Sequence, residues 1–245
     1  LLRLWLITVF KRINTIHTWC TPAGVLGYLL KRYAGKRLVL DSLEPHAEVM
    51  LEGGTWAKDS KAFKMLFGFE RKMLIKADKV IACTTGMRQY SVDKYGIDRD
   101  DMLVKPACVD FDKFNTDIEP DQVLLKELGL EGKTIMLYAG KLGGLYLEKE
   151  VFEIVKAGVD SFDDSFRFLF LTNTPEKHIQ QYCDELQIDR SIIVNRFVPH
   201  SEVPQYMALA HFALNPMKPL PSRRHSAPIK DSEYWAMGLP VIITK

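Results

Sequence analysis

Closely spaced cysteine pairs are missing from this 245-residue chain. Its four cysteines, Cys20, Cys83, Cys108 and Cys183, lie far apart with no CxxC. That excludes a dense disulfide frame and the usual zinc spacing, and it points to reduced thiols in a cytosolic protein. Long apolar runs are also missing. The longest early one, residues 4–10, is too short to span a bilayer, and no small-residue cleavage site marks it as a secretory leader. Neither sign of charge dominates. A net charge of +2 gives no global attraction to nucleic acid, which is not expected as a partner. There is no internal repeat of about 20–50 residues and no low-complexity tract. No GxSxG, HExxH, Walker A or GxGxxG pattern occurs, and no Ser-His-Asp arrangement stands out.

What is present is an ordinary apolar share of 47%, enough for a sizeable core without staples. Charge is unevenly spread. Residues 1–115 carry 19 basic and 13 acidic side chains, and the remainder carries 14 and 18. The asymmetry fits two bodies with different partners, or equally two solvated surfaces that differ. Strand-like runs fall at 14–19, 37–41, 79–84, 101–106, 134–139, 167–172, 192–197, 212–215 and 239–244. The first of these reads as a buried strand. Helical patterns fall at 1–12, 22–33, 59–77, 86–95, 147–160, 175–186, 202–209 and 229–237, with another ending near 129. Thr21 before Pro22, and Asp59 or Ser60, are the expected caps. Short strands alternating with helices predict an α/β protein with parallel sheets covered on both faces. Two such series predict two Rossmann-like, doubly wound domains, at 1–115 and 132–245, joined by a linker and helix at 116–131.

In open α/β sheets, ligands bind beyond the carboxyl ends of the strands. The run Tyr138-Ala139-Gly140-Lys141-Leu142-Gly143-Gly144 leaves one strand and enters a helix. It is either a plain turn or a seat where backbone N–H groups and Lys141 receive a diphosphate. Farther on, Lys230 and Glu233 share a helix face after Pro228. They form either an i,i+3 ion pair or a site where the carboxylate accepts ribose hydroxyls.

The run from Pro228 to Ile242, with Lys230, Glu233, Tyr234, Ala236, Gly238 and Pro240, resembles the P-x-K-x-x-E-Y-x-A-x-G-x-P-V-I signature of retaining glycosyltransferases with the GT-B fold, family four (glycosyl transferases group 1). Residues 79–87, 106–114 and 197–206 resemble other segments of that family, in the right order. The resemblance implies metal-independent hexosyl transfer from a nucleotide-diphosphate sugar to a glycan or lipid-linked acceptor, with no further cofactor, in polysaccharide biosynthesis. The scattered thiols point to a cytoplasmic place, and the basic first half to peripheral contact at the inner membrane face. Donor binding would fall to Gly140, Lys141, Gly143, Gly144, Arg196, Phe197, Val198, Ser226, Lys230 and Glu233. Lys141, His46 and His225 are the candidate catalytic residues; His225 stands where the family has a glutamate, and Tyr146 falls near its second basic residue. His17, Asp41 and Glu44, after the first strands, are placed on the acceptor side, although a hydrogen-bonded structural role is open for each histidine. The family is longer than this chain, so its opening strand is expected before Leu1 and its closing helices after Lys245. A sugar-nucleotide epimerase of the same fold and a noncatalytic binding subunit are the alternatives. Lys58 to Lys79, where basic residues interleave with Phe63, Leu66, Phe67, Phe69 and Leu74, reads as a membrane-facing segment or as a solvated basic face over the core.

Overall fold

The computed structural model describes residues 1–244, with the backbone alone at residue 42. The chain divides into two compact units. One comprises Leu1–Cys108 with Leu220–Ala227; the other comprises Val109–Pro219 and the chain from Pro228 onward.

The first unit holds α1 (Leu2–Phe10), β1 (Thr15–Trp19), α2 (Thr21–Ala34), β2 (Arg37–Leu43), α3 (His46–Glu52), α4 (Lys61–Lys76), β3 (Lys79–Ala82), α5 (Met87–Tyr95) and β4 (Leu103–Val104). Its four strands are parallel in the order β1-β2-β3-β4. Strand β1 lies at an edge, with Thr15, His17 and Trp19 exposed, so the expectation of a buried strand is corrected. Helix α2 starts one residue earlier than a Thr21 cap requires. Thr21 is its first residue and donates its hydroxyl to the Glu44 carbonyl (3.0 Å) instead. The helix closes on Gly35 at φ +63°, a left-handed position that suits glycine. It packs closely on the sheet through Gly27, where a Cβ would stand 2.7 Å from Leu38 Cδ1. Helix α4 begins as the sequence predicts, with Ser60 Oγ accepting the Phe63 N–H (3.2 Å). Its Leu66, Met73 and Leu74 are buried, while Lys61, Lys64, Lys72 and Lys76 face solvent.

The second unit holds α6 (Gln122–Glu127), β5 (Thr134–Ala139), α7 (Lys149–Phe162), β6 (Phe166–Leu171), α8 (Glu176–Leu186), β7 (Ile193–Arg196), α9 (Val203–Met207), β8 (Phe212–Asn215), α10 (Ile229–Ala236) and β9 (Val241–Ile243). All five strands are parallel, in the order β7-β6-β5-β8-β9. Alternate residues of the central strands feed two cores. Ile135, Leu137, Leu169 and Leu171 enter one; Met136, Tyr138, Phe166, Phe168 and Phe170 enter the other. A strand buried on both faces is apolar at nearly every position, which is why these segments read as hydrophobic runs, interrupted in β6 only by the half-buried Arg167, whose guanidinium donates to the Asp164 carbonyl (2.9 Å). The chain runs outward from β5 through β6 to β7, then returns to β8 on the other side. The order therefore reverses between β5 and β8.

Candidate functional site

The loop leaving β5 is fixed from below. The Tyr138 ring is fully buried, and its hydroxyl donates to the Lys141 carbonyl (2.7 Å), closing the turn over Gly140. Burial drives the Tyr138 phenol well above its usual range, so it remains a donor. The Ala139 N–H donates to the Tyr234 hydroxyl (3.0 Å) and the Gly140 N–H to the Leu171 carbonyl (2.9 Å). Tyr234 is fully buried on α10, so this bond anchors that helix against the end of β5. Gly143 and Gly144 follow at φ +77° and +63°, successive left-handed positions. The turn is tied to the segment after β8 by Leu147 N–H to Pro216 O (2.7 Å) and Lys218 N–H to Leu145 O (3.0 Å).

A cavity of about 410 Å³ opens above these loops. Its walls come from the ends of β5, β6 and β7 and from α10, and they include Gly140, Lys141, Asn173, Phe197, Lys230 and Glu233, with Val198 and His200. The sequence-derived residues Gly140, Lys141, Phe197, Val198, Lys230 and Glu233 are thus brought to one cavity, all within the second unit. Lys230 and Glu233 do not pair there. Glu233 Oε1 lies 3.1 Å from His200 Nε2, and the Lys230 ammonium rests 3.9 Å from the Tyr146 ring centroid and 5.2 Å from that of Tyr138. The ion-pair reading of these two residues is therefore corrected. The next residue, Asp231, accepts from Asn215 Nδ2 (2.6 Å), and burial lifts its carboxyl above the usual range.

Other sequence-derived residues fall outside this cavity. Arg196 is exposed and turns its guanidinium to the Asn195 carbonyl (2.9 Å). Gly143 and Gly144 form the outer turn; a Cβ on Gly143 would strike the Glu148 carboxylate, whereas the space beside Gly144 is open. His225 and Ser226 fold with the first unit, so the 132–245 stretch is not one continuous body. There Ser226 Oγ donates to Glu44 Oε2 (3.0 Å), and the Ser222 N–H and hydroxyl both donate to Glu52 Oε2 (2.9 and 2.5 Å). His46 Nδ1 stands 3.6 Å from Glu44 Oε1. Burial opposes ionisation of Glu44, but His46, Ser226 and the Arg223 charge outweigh it and hold the carboxyl below its usual range. The His225 ring lies 4.9 Å from that of Tyr90, and burial lowers its basicity. A separate group spans β1, β2 and the end of β4: His17 lies within β1 and Asp41 within β2, rather than after the strands as expected, and Lys105 follows β4. Asp41, nearly buried, takes both His17 Nε2 (3.0 Å) and the Lys105 ammonium (2.7 Å) on one oxygen.

Sequence alone assigns no role to His200, Asn173, Tyr138 or Lys105, and Tyr146 stands out there only as the absence of a cation. Four of these five follow, or immediately precede, a strand's carboxyl end, so the strand-end rule was the usable signal. Tyr146 had none, because its partner is 84 positions away.

No protein-family model matches the sequence, and a comparison with curated proteins returns no match. Solved structures do match. The chain aligns with HepE from Anabaena in complex with UDP at a TM-score of 0.72 and 15% identity, over 98% of this chain and 62% of that one. It aligns with sucrose-phosphate synthase from Thermosynechococcus elongatus at 0.71 and 16%, over 97% and 57%. A more distant match is a protein assigned as UDP-N-acetylglucosamine 2-epimerase from Listeria monocytogenes, at 0.55 and 12%, over 98% and 59%. The two parallel-sheet units have the GT-B architecture of these structures, and both Rossmann-like sheets expected from the sequence are present. The chain spans about three fifths of the length of these structures.

Proposed function

We propose that the chain is part of a retaining glycosyltransferase of the family-four kind, moving a sugar from a nucleotide-diphosphate sugar to a glycan or lipid-linked acceptor. The observation that carries this reading is the meeting of the Gly140–Lys141 turn with Lys230 and Glu233 in one cavity beyond the carboxyl ends of β5, β6 and β7. In this reading the diphosphate lies over the turn, between the Lys141 and Lys230 ammonium groups. Glu233 accepts the ribose hydroxyls, using the oxygen that His200 leaves free. Phe197, 77% exposed at the rim, and Val198 cover the base. During transfer the bond from the sugar's anomeric carbon to phosphate oxygen breaks and a bond to the acceptor oxygen forms on the same face. The acceptor proton passes to the departing phosphate. Charge gathers on that leaving group, and fixed cations stabilise it there more than in the ground state. The UDP bound in the HepE structure supports a uracil nucleotide as the first donor to try.

Glu233 provides the test. Glu233→Gln and Glu233→Ala should weaken UDP binding by about 1.5–3 kcal/mol, or roughly ten- to hundredfold, in calorimetry. A 2′,3′-dideoxy analogue should lose as much in the unaltered protein and little more in Glu233→Ala. An undiminished dideoxy penalty in that variant would move the ribose elsewhere. The Listeria match supports epimerisation as a second reading. Radiolabel carried from donor to acceptor, rather than found in an altered free donor, separates the two. Binding without any turnover would favour a noncatalytic subunit.

A further inference from the structure

Lys230 is half-buried, yet no carboxylate lies within ion-pair distance of its ammonium among the described residues; the adjacent Asp231, whose carboxyl is bonded to Asn215 and lifted above its usual range by burial, interacts with it only at longer range. The charge rests on aromatic faces instead. Tyr146 is 3.9 Å away at its centroid and Tyr138 is 5.2 Å away. This difference matters chemically. A carboxylate partner would fix the ammonium and cancel its charge; a ring quadrupole fixes it and leaves the full positive charge to a third group. The same cavity contains the contrasting case, Glu233, whose carboxylate already has a side-chain partner in His200.

The seat is built from several elements. Tyr138 is fully buried and bonded to the Lys141 carbonyl. Tyr146 is fixed through its backbone, its N–H donating to the Gly143 carbonyl (3.1 Å) and its position bridging to Met217. Gly140 leaves the space: a Cβ there would stand 2.5 Å from Lys230 Nζ and 2.9 Å from the Tyr138 hydroxyl. The lysine can swing away from such a Cβ, whereas the buried tyrosine cannot. A side chain at 140 would therefore expel the ammonium.

We infer that Tyr146, with Tyr138 and Gly140, forms an aromatic seat that holds Lys230 as an uncancelled cation for a phosphate group above the Gly140 turn. Tyr146 is a positioning residue, and it acts on phosphate affinity alone. The inference deepens the nucleotide-sugar reading and rests on it for the identity of the phosphate.

Three measurements on the full chain test it. First, ring currents of Tyr146 should move the Lys230 ε-methylene proton signals upfield, and Tyr146→Leu should return them toward ordinary lysine positions while Tyr146→Phe does not. This readout needs no ligand, and equal shifts in all three proteins would overturn the seat. Second, Tyr146→Leu should weaken UDP by about three- to tenfold, Tyr146→Phe should bind nearly as the parent does, and neither should change uridine affinity. Equal losses for UDP and uridine would reduce Tyr146 to a packing residue and overturn the positioning role. Third, in a Lys230→Met background, Tyr146→Leu should cost UDP affinity nothing further; a full additional loss would also overturn it. Failure of the parent protein to bind UDP would count against the nucleotide reading. Inorganic pyrophosphate, titrated against parent and Tyr146→Leu, then decides for or against the anion seat by the same three- to tenfold criterion.

Discussion

Glu70 is buried in the first unit with a carboxylate that accepts the Ala47 N–H (3.0 Å) and the Tyr95 hydroxyl (2.7 Å). Burial outweighs those bonds and pushes its pKa up to about 7. A carboxyl raised in the folded state binds its proton more tightly there than in the unfolded chain. Its contribution to stability is complete below the unfolded value near 4.5 and is lost as pH rises toward 7. Glu70→Gln, which keeps the shape and cannot ionise, should flatten that fall. The parent should lose on the order of 2–3 kcal/mol more than the variant between pH 4.5 and pH 8, measured by urea unfolding. Parallel curves for the two proteins would show that Glu70 ionises freely in the fold. At this scale the sequence was informative where a strand end opens a glycine turn, as at Lys141, or where residues repeat a motif, as at Lys230 and Glu233, and less so at plain strand ends such as Asn173 and Lys105. It was silent on Tyr146 and Glu70, whose roles come from rings and amides distant in sequence.

Among the elements, β5 and β8 have the predicted limits, and most others differ by a few residues, because apolar runs mark a strand's core better than its ends. Helix α3 was not anticipated. It is seven residues long, and its second residue, Ala47, donates its N–H to Glu70 of α4 rather than to a local cap, so no signal lies in its own sequence. Helix α7 shows how packing can reverse a propensity rule. Gly158 lies inside it, where alanine ordinarily stabilises by about 1 kcal/mol. A Cβ at 158 would strike the Phe166 ring, which is fully buried at the start of β6. Gly158→Ala should therefore destabilise the protein by about 1–3 kcal/mol, read as a lower urea midpoint with an unchanged slope. A stabilised variant would mean that α7 stands off the sheet more than the contact implies.

For the molecule as a whole, the two-sheet α/β plan was legible because the strands carry apolar residues on both faces and each strand before β9 is followed by a helix. The excursion of 220–227 into the first unit was not. It depends on two serines meeting Glu52 and Glu44, and serines carry no periodic signal. No helix among the described residues is long and apolar enough to cross a membrane. On α4 the apolar side chains singled out in the sequence are buried or partly covered, leaving Lys61, Lys64, Arg71, Lys72 and Lys76 exposed. Contact with a bilayer is accordingly proposed as electrostatic, at about 1 kcal/mol for each basic residue near an anionic leaflet. The protein should co-sediment with anionic vesicles at low salt and be released toward 1 M salt, where the screening length falls to about 3 Å. Absence from the low-salt pellet would remove the membrane from the list of partners.

The 220–227 excursion also means that the order of residues along the chain and the grouping of residues in space are different partitions. The polypeptide passes from one unit to the other three times, after Cys108, after Pro219 and after Ala227. A gene fragment ending at residue 108 therefore does not encode the first unit. It encodes that unit with two acids, Glu44 and Glu52, stripped of the hydroxyl donors that a segment more than a hundred residues downstream supplies. Dividing this protein into independently expressible halves is thus a problem of circular permutation, in which 220–227 must be rejoined to the body it completes, and a single cut cannot solve it.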